Sequence, residues 1–383
     1  LIFMVPFIFL ASSIFIPFND NWHHIVENVL LDYFVNSLSL AIGVGFCTFI
    51  IGTTTAWLTS VYDFPFRKII SWLLLMPLAM PAYIIAITYV GIIDSTSFLP
   101  DIRNLFGAII MISLVLYPYV YIAARIGFAE ISGAYIENSR LLGRGLLRSM
   151  FSVGLPLARP AIVGGLLLAL LEVVNEYGAM KYYGIETLTT GIFVSWTDLG
   201  DKDSAIRLAG VAMVVVFIII VFERALRGRA KYHAHRASSG NLSGPTKTAF
   251  GSFIAFALCS ILLLLSFIIP LLKLSLNAFY GWREIDLWSL VSGPLSDSLL
   301  VSGIACAVII VSALIITYAK RLFPSLFMKL LGKLCMLGYA VPGAVVAISI
   351  LIYFSDIGKL IGASSNDISL TRIMFTLTPI GLI

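Results

Sequence analysis

Apolar runs of about 20 residues recur along the whole chain, and each is long enough to cross a bilayer as a helix. That single feature excludes most soluble folds, because a water-soluble domain has nowhere to hide so many such runs. Composition agrees: of 383 residues 60% are hydrophobic and 12% charged, and the mean hydropathy is +1.00. Spans are expected near 1–18, 34–60, 69–93, 105–127, 161–178, 205–223, 249–278, 297–319, 330–354 and 370–383. The first run, LIFMVPFIFLASSIFIPF, has neither a basic leader region nor a small-residue cleavage site, so it reads as a span whose natural start is missing.

Charge placement gives an orientation. With the amino terminus inside, the cytoplasmic gaps hold Arg67, Lys68, Arg125, Arg140, Arg144, Arg148 and Arg159, then Arg224 to Lys247, then Lys320 to Lys333. The opposite gaps keep few basic residues and most of the acids, including Asp198, Asp201 and Asp203. Cytoplasmic loops retain Lys and Arg, so the bias predicts a cytoplasmic amino terminus. The net charge of +5 thereby reads as membrane topology rather than as a nucleic-acid surface.

Cys47, Cys259, Cys306 and Cys335 all fall inside apolar runs without CxxC spacing, and read as small buried hydrophobes. His23 with His24 and His233 with His235 lack further ligands nearby, so no metal site is expected from them. Residues 227–248 are basic and then rich in Ser, Gly and Pro, as in a cytoplasmic linker between two halves. The halves are expected at 1–226 and 249–383. A gapless shift of 261 residues places Ser37 on Ser298, Lys68 on Lys329 and Pro81 on Pro342. Proline in a span removes a backbone donor and opens the helix locally, and internal repetition is a common way to build a transporter.

The gap between the fourth and fifth spans is the most informative stretch. In YIENSRLLGRGLLRSMFSVGLP, residues 135–156, Tyr135 to Leu142 can form a short amphipathic helix and Gly143 permits a sharp change of direction. A second short helix is expected over Leu146 to Val153, ending near Leu155 and Pro156, with Pro160 in the first turn of the next span. The product is an elbow protruding from the membrane; the plainer alternative is a basic loop anchoring two spans.

The spacing of Glu137-Asn138-Ser139, three residues, Gly143, nine residues, then Val153-Gly154-Leu155-Pro156 resembles the E-A-A, G, I-x-L-P signature of permease subunits of binding-protein-dependent ABC importers. Glu137, Gly143, Leu155 and Pro156 stand at the expected positions; Asn138 and Ser139 replace the alanines and Val153 the isoleucine. In that family the elbow fits a groove on an ATP-hydrolysing subunit. The resemblance thus implies ATPase-coupling roles for Glu137, Asn138, Ser139, Gly143, Val153, Leu155 and Pro156. The segment LLEVVNEYGAMKYYGIETLTTGIFVSW, 170–196, is similar to the fused two-half ferric iron permeases, while related fused permeases carry thiamine, phosphonates or polyamines.

What the resemblance implies is an all-α polytopic fold of the type I importer class, MetI-like, with two tandem six-span repeats. It also implies an ATPase dimer on the cytoplasmic side, a periplasmic iron-binding protein as donor and a bacterial inner-membrane location. A second elbow is expected near residue 400, so the chain reads as cut short at its carboxyl end.

Glu172 and Glu176 stand four residues apart, one helical turn, at the outer part of the fifth span with Asn175 beside them. Ionisable groups in a span usually face a pathway or a partner, which makes these three candidate pathway residues; the alternative is that they meet interfacial water. Tyr182 and Tyr183 lie just outside, where aromatic residues are common anyway. No phosphate-binding G-x-x-x-x-G-K-[ST] loop occurs in the chain, and neither HExxH nor a supported Ser-His-Asp arrangement does. No cofactor or firm metal site is expected, ATP being bound by a partner, and the chain is not expected to be an enzyme. A secondary transporter driven by an ion gradient is the competing class, with Glu172 its one decent coupling carboxylate; a membrane enzyme would need a polar catalytic cluster.

Overall fold

A computed structural model describes residues 19–95, 100–130, 145–227, 249–281 and 287–323, with isolated positions beyond them. Every regular element among the described residues is helical. In chain order these are α1 (Asp20–Asn28), α2 (Leu30–Val61), α3 (Arg67–Leu73), a 3-10 turn (Met76–Ala79), α4 (Ala82–Asp94) and α5 (Leu105–Glu130). There follow α6 (Leu146–Ser149), a π-turn (Met150–Gly154), α7 (Leu155–Asn175), α8 (Gly178–Tyr183) and α9 (Leu188–Phe193) with a π-turn (Val194–Asp198). The last are α10 (Lys202–Arg227), α11 (Ala249–Leu263), a π-turn (Leu264–Ile268), α12 (Ile269–Gly281) and α13 (Leu287–Leu322). Six stretches are long and apolar enough to cross a membrane, and the bent pair 67–79 with 82–94 would make a seventh. These correspond to seven of the ten expected spans; those at 1–18, 330–354 and 370–383 lie outside the described residues, as does the linker from 228 to 248.

Two compact units divide the chain. The larger, Leu31–Thr190 with Phe217–Leu276, is held by α5, whose closest neighbour is α7. Lipid tails are as apolar as leucine, so helices in a bilayer associate by close packing, and small residues let backbones approach. A Cβ at Gly165 of α7 would lie 2.6 Å from Ala123 Cβ and 2.7 Å from the Tyr119 carbonyl oxygen; one at Gly52 of α2 would lie 2.7 Å from Val120 Cβ and 2.9 Å from the Tyr121 nitrogen. Glycine at both positions brings α2 and α7 onto the same turns of α5. Around these crossings one apolar cluster gathers Trp57, Tyr117, Tyr121, Phe128, Met150 and Ile162, and another gathers Leu40, Ile85, Ile112, Val173, Met180 and Tyr183.

The third expected span is not one helix. Pro77 and Pro81 cannot donate to the preceding turn, and α3 and α4 meet at 95° across the 3-10 turn. The carbonyls this break strands need donors. Tyr117 and Tyr121, one turn apart on α5, supply them: the Tyr117 hydroxyl donates to the Leu74 carbonyl at 3.0 Å and that of Tyr121 to the Ser71 carbonyl at 3.1 Å. On α4, the Tyr89 hydroxyl donates to the Leu265 carbonyl, in the π-turn between α11 and α12.

The smaller unit comprises Leu1–Leu30, Gly191–Val216 and Asn277–Ile383. Within it the amino ends of α1 and α10 share one carboxylate. Asn19 caps α1 by accepting from the Trp22 N–H at 2.9 Å; Asp201 accepts from the Ser204 N–H at 3.1 Å and hydroxyl at 2.7 Å and from the Asn19 amide at 2.9 Å. Partial burial pushes the Asp201 pKa up, but donors from Ser204, Asn21 and Asn19 outweigh it and leave the pKa below the ordinary value.

Two measurements test these contacts. Gly165→Ala is expected to lower the thermal midpoint of the detergent-solubilised protein through overpacking of about 1–3 kcal/mol, whereas Gly91→Ala, inside α4 where a Cβ meets nothing within 4 Å, does not lower it. The folded-state pKa of Asp201 is lowered, so its contribution is complete above the ordinary carboxylate value of about 4 and is lost as pH falls through the lowered one. The stability deficit of Asp201→Asn is therefore expected to narrow below about pH 4 in melts taken across pH.

Candidate functional site

The elbow expected at 135–156 is described only from Gly145 onward; Glu137, Asn138, Ser139 and Gly143 lie outside the described residues. Beyond Gly145 the chain departs from the expected short helix ending at Leu155 and Pro156. From Leu146 to Asn175 the backbone is helical throughout, passing from α6 through the π-turn into α7 as one rod, and Pro160 lies inside α7. The fifth span accordingly begins near 150 rather than 161. The π-turn accounts for the continuity: the Leu155 N–H bonds to the Met150 carbonyl five residues back, and the change of register absorbs the donor that Pro156 lacks. Val153 and Leu155 are half-buried and Pro156 is exposed, with Phe151 65% exposed beside it.

At the other end of the rod the three candidate pathway residues do different things. Glu172 sits on α7 and is exposed. Asn175 is its last residue, with a buried side-chain oxygen that finds no partner among the described residues. Glu176 is not on the helix: it is the residue after α7 and its backbone is extended, so it does not continue the helical face that carries Glu172. Instead its carboxylate accepts from the Ala179 N–H at 2.8 Å, closing the turn into α8. The carboxylate thereby supplies an acceptor to the first turn of α8, whose N–H groups have no intrahelical partner. Tyr182 and Tyr183 also part company, the first 40% exposed and the second 5%.

Residues 184–190 are fastened by groups that sequence reasoning missed. The Asn36 amide donates to the Glu186 carbonyl at 2.8 Å, the Leu188 N–H to the Ser37 hydroxyl at 2.9 Å, and the Thr189 hydroxyl to the Val174 carbonyl at 2.5 Å. A run of threonines after glycine, ETLTTG, was the available signal, because Thr satisfies turn backbones. Among the described residues no three of His, Cys, Asp and Glu come together as a group able to hold a metal. The geometry there is a long helix with exposed side chains toward its amino-terminal end and a carboxylate just past its carboxyl-terminal end.

Residues 48–223 match the family model described as binding-protein-dependent transport system inner membrane component, a range that contains the break, the rod and the Glu172 to Thr190 segment. The matched range covers a little under half of the chain, and over it the chain is similar to that family. The Fe(3+)-transport system permease protein FbpB 2 of Haemophilus influenzae is 25% identical over 349 residues, which is 90% of this chain and 66% of that protein. A probable molybdenum ABC transporter permease protein of Haloferax volcanii is 27% identical over 193 residues, 48% of this chain and 70% of that one. The sulfate transport system permease protein CysT of Salmonella typhimurium is 23% identical over 195 residues, 47% and 70%. Among solved structures, a bacterial ABC transporter that imports the acidic polysaccharide alginate aligns with a TM-score of 0.48 at 16% identity, over 59% of this chain and 89% of that one.

The cap predicts a separation between charge and hydrogen bonding at position 176. Glu176→Gln keeps an acceptor and is expected to melt within about 0.5 kcal/mol of the natural protein, while Glu176→Leu costs about 1 kcal/mol, read from thermal melts in detergent.

Proposed function

We propose that the chain is the membrane-spanning permease of an ATP-driven importer, a multi-pass inner-membrane protein that passes ferric iron handed over by a periplasmic binding protein. The observation that carries the importer reading is that the family match spans the part of the chain where Val153-Gly154-Leu155-Pro156 ends the signature spacing begun at Glu137. Under this reading ATP is bound and hydrolysed by a separate pair of ATPase subunits, docked on the elbow through Glu137, Asn138, Ser139 and Gly143. Their closure shifts the elbow and the spans alternate between outward and inward access. The amino terminus is cytoplasmic, as the basic gaps require.

Two observations support iron over the oxyanions that the molybdenum and sulfate relatives are named for. The ferric relative matches along 90% of the chain, across both proposed halves, where those two match about half. Glu172, an exposed carboxylate on a span, attracts a passing cation and repels molybdate or sulfate. Thiamine, phosphonate or polyamine carriage within the same importer class, and a gradient-driven secondary transporter, are the alternatives the experiment separates.

The test reconstitutes the full-length permease with its ATPase and binding protein in liposomes and compares ferric iron, molybdate, sulfate and thiamine as cargo. ATP-dependent uptake of iron alone is expected. Glu137→Arg is expected to abolish ATPase docking, and Glu172→Gln to cut iron uptake by roughly tenfold with docking intact. Uptake of another cargo would discard iron and keep the importer; gradient-driven uptake without ATP would discard both.

A further inference from the structure

The elbow's exit is seated on an aromatic pair that no part of the family signature accounts for. Gly154, buried, is the last residue of the π-turn that joins α6 to α7. A Cβ there would lie 2.9 Å from Trp57 Cζ3, 3.5 Å from Trp57 Cε3 and 3.6 Å from Phe128 Cε1. Trp57 on α2 is 1% exposed and Phe128 near the end of α5 is 2% exposed; their rings meet edge to face, with centroids 5.3 Å apart at 77°. The indole N–H of Trp57 is buried and finds no acceptor among the described residues. A buried donor left without a partner costs about 1–3 kcal/mol, so this ring is held where it is by shape rather than by a hydrogen bond.

The seat sits at a mechanical junction. On the amino-terminal side of Gly154, Arg148 and Phe151 face outward; on the carboxyl-terminal side, Ala158 and Ile162 of α7 join the same apolar cluster as Trp57 and Phe128. Gly127 of α5 adds a close approach, since a Cβ there would lie 3.0 Å from Ala158 Cβ and 3.1 Å from Ala161 Cβ. Residue 154 thus lies on the buried face of the rod, between Met150 and Ala158 of the same apolar cluster, where the π-turn meets α7. A π-bulge is one of the places where a helix can kink, and a side chain packed beside it limits that bending. Here that side chain is the indole ring of Trp57.

We propose that Trp57, Phe128 and Gly154 are the positioning residues that clamp the elbow's exit to the bundle, so that displacement of the elbow moves α2, α5 and α7 as one body instead of being absorbed in the π-turn. The inference rests on the importer reading. Its distinguishing consequence is uncoupling: loosening the seat lets the ATPases cycle while the spans lag behind.

The experiment measures cargo taken up per ATP hydrolysed in liposomes holding the full-length permease, its ATPase and its binding protein, with ferric iron, molybdate or sulfate as the probe, whichever the natural permease accumulates. Gly154→Ala drives a methyl group into the Trp57 ring and is expected to lower that ratio roughly tenfold while hydrolysis stays within about twofold. Adding Trp57→Leu, which clears the space, is expected to bring the double variant back to within about threefold of the natural ratio. An unchanged ratio in Gly154→Ala overturns the clamp. So does a joint fall of uptake and hydrolysis that Trp57→Leu does not reverse, which marks a merely structural defect. Should Gly154→Ala fail to assemble, Trp57→Phe tests the seat from the other side: a ratio lowered about threefold sustains the clamp and an unchanged ratio overturns it. If the natural permease neither binds the ATPase nor accumulates any of the three probes, the importer reading itself falls and takes the clamp with it.

Discussion

Close backbone contact at the helix crossings of α5 is the constraint on which the larger unit depends. Inside a bilayer no hydrophobic force draws one apolar helix to another, and dispersion between well-fitted surfaces must hold the bundle. Gly52 and Gly165 make the fit possible by letting α2 and α7 come against the backbone of α5 at Tyr117 to Ala123. Bulkier residues there would separate the helices, and the aromatic cluster below them, Trp57 with Tyr117, Tyr121 and Phe128, would lose its walls.

The same crossings allow irregular backbone at membrane depth. A helix broken at Pro77 and Pro81 exposes carbonyls that hydrocarbon cannot satisfy. The donors come from tyrosines fixed by the packing: Tyr117 and Tyr121 are both fully buried on α5, so their hydroxyls have little freedom to point elsewhere. Tyr89 performs the reciprocal service for the π-turn at Leu264–Ile268. These two breaks are each answered by a side chain from another helix, and the bundle keeps both bends without stranding the carbonyls of Ser71, Leu74 and Leu265.

Membrane spans were legible because length and hydropathy decide them: seven expected spans overlap described helices, although the fifth begins near 150 rather than 161. Prolines were read less well. Pro81 opens its span as expected, yet Pro156, expected near a helix end, lies at the start of α7, and Pro160, expected in the first turn of a span, lies inside it. A proline breaks a helix only where neighbours supply partners for the freed groups or where the chain gains by turning, and neither condition is written in local sequence. Glu172 and Glu176 do not share a helix face for a related reason: a four-residue spacing signals one face only while the helix lasts, and α7 ends at Asn175. Gly154 was legible as a letter in a signature but not as the floor of a socket, because its partners Trp57 and Phe128 stand far away along the chain.

The unbroken rod from Leu146 to Asn175 has a geometric consequence of its own. At 1.5 Å per residue it is about 45 Å long, some 15 Å more than the hydrocarbon thickness of a typical bilayer. About three turns must therefore stand outside the apolar slab, in keeping with the exposed Arg148 and Arg159 near its amino-terminal end. A stiff handle of that length needs no bending to act at a distance: a tilt of about 5° displaces one end by roughly 4 Å relative to the other. Such a shift is comparable to the radius of a small hydrated ion's passage, reached with every hydrogen bond of the helix intact.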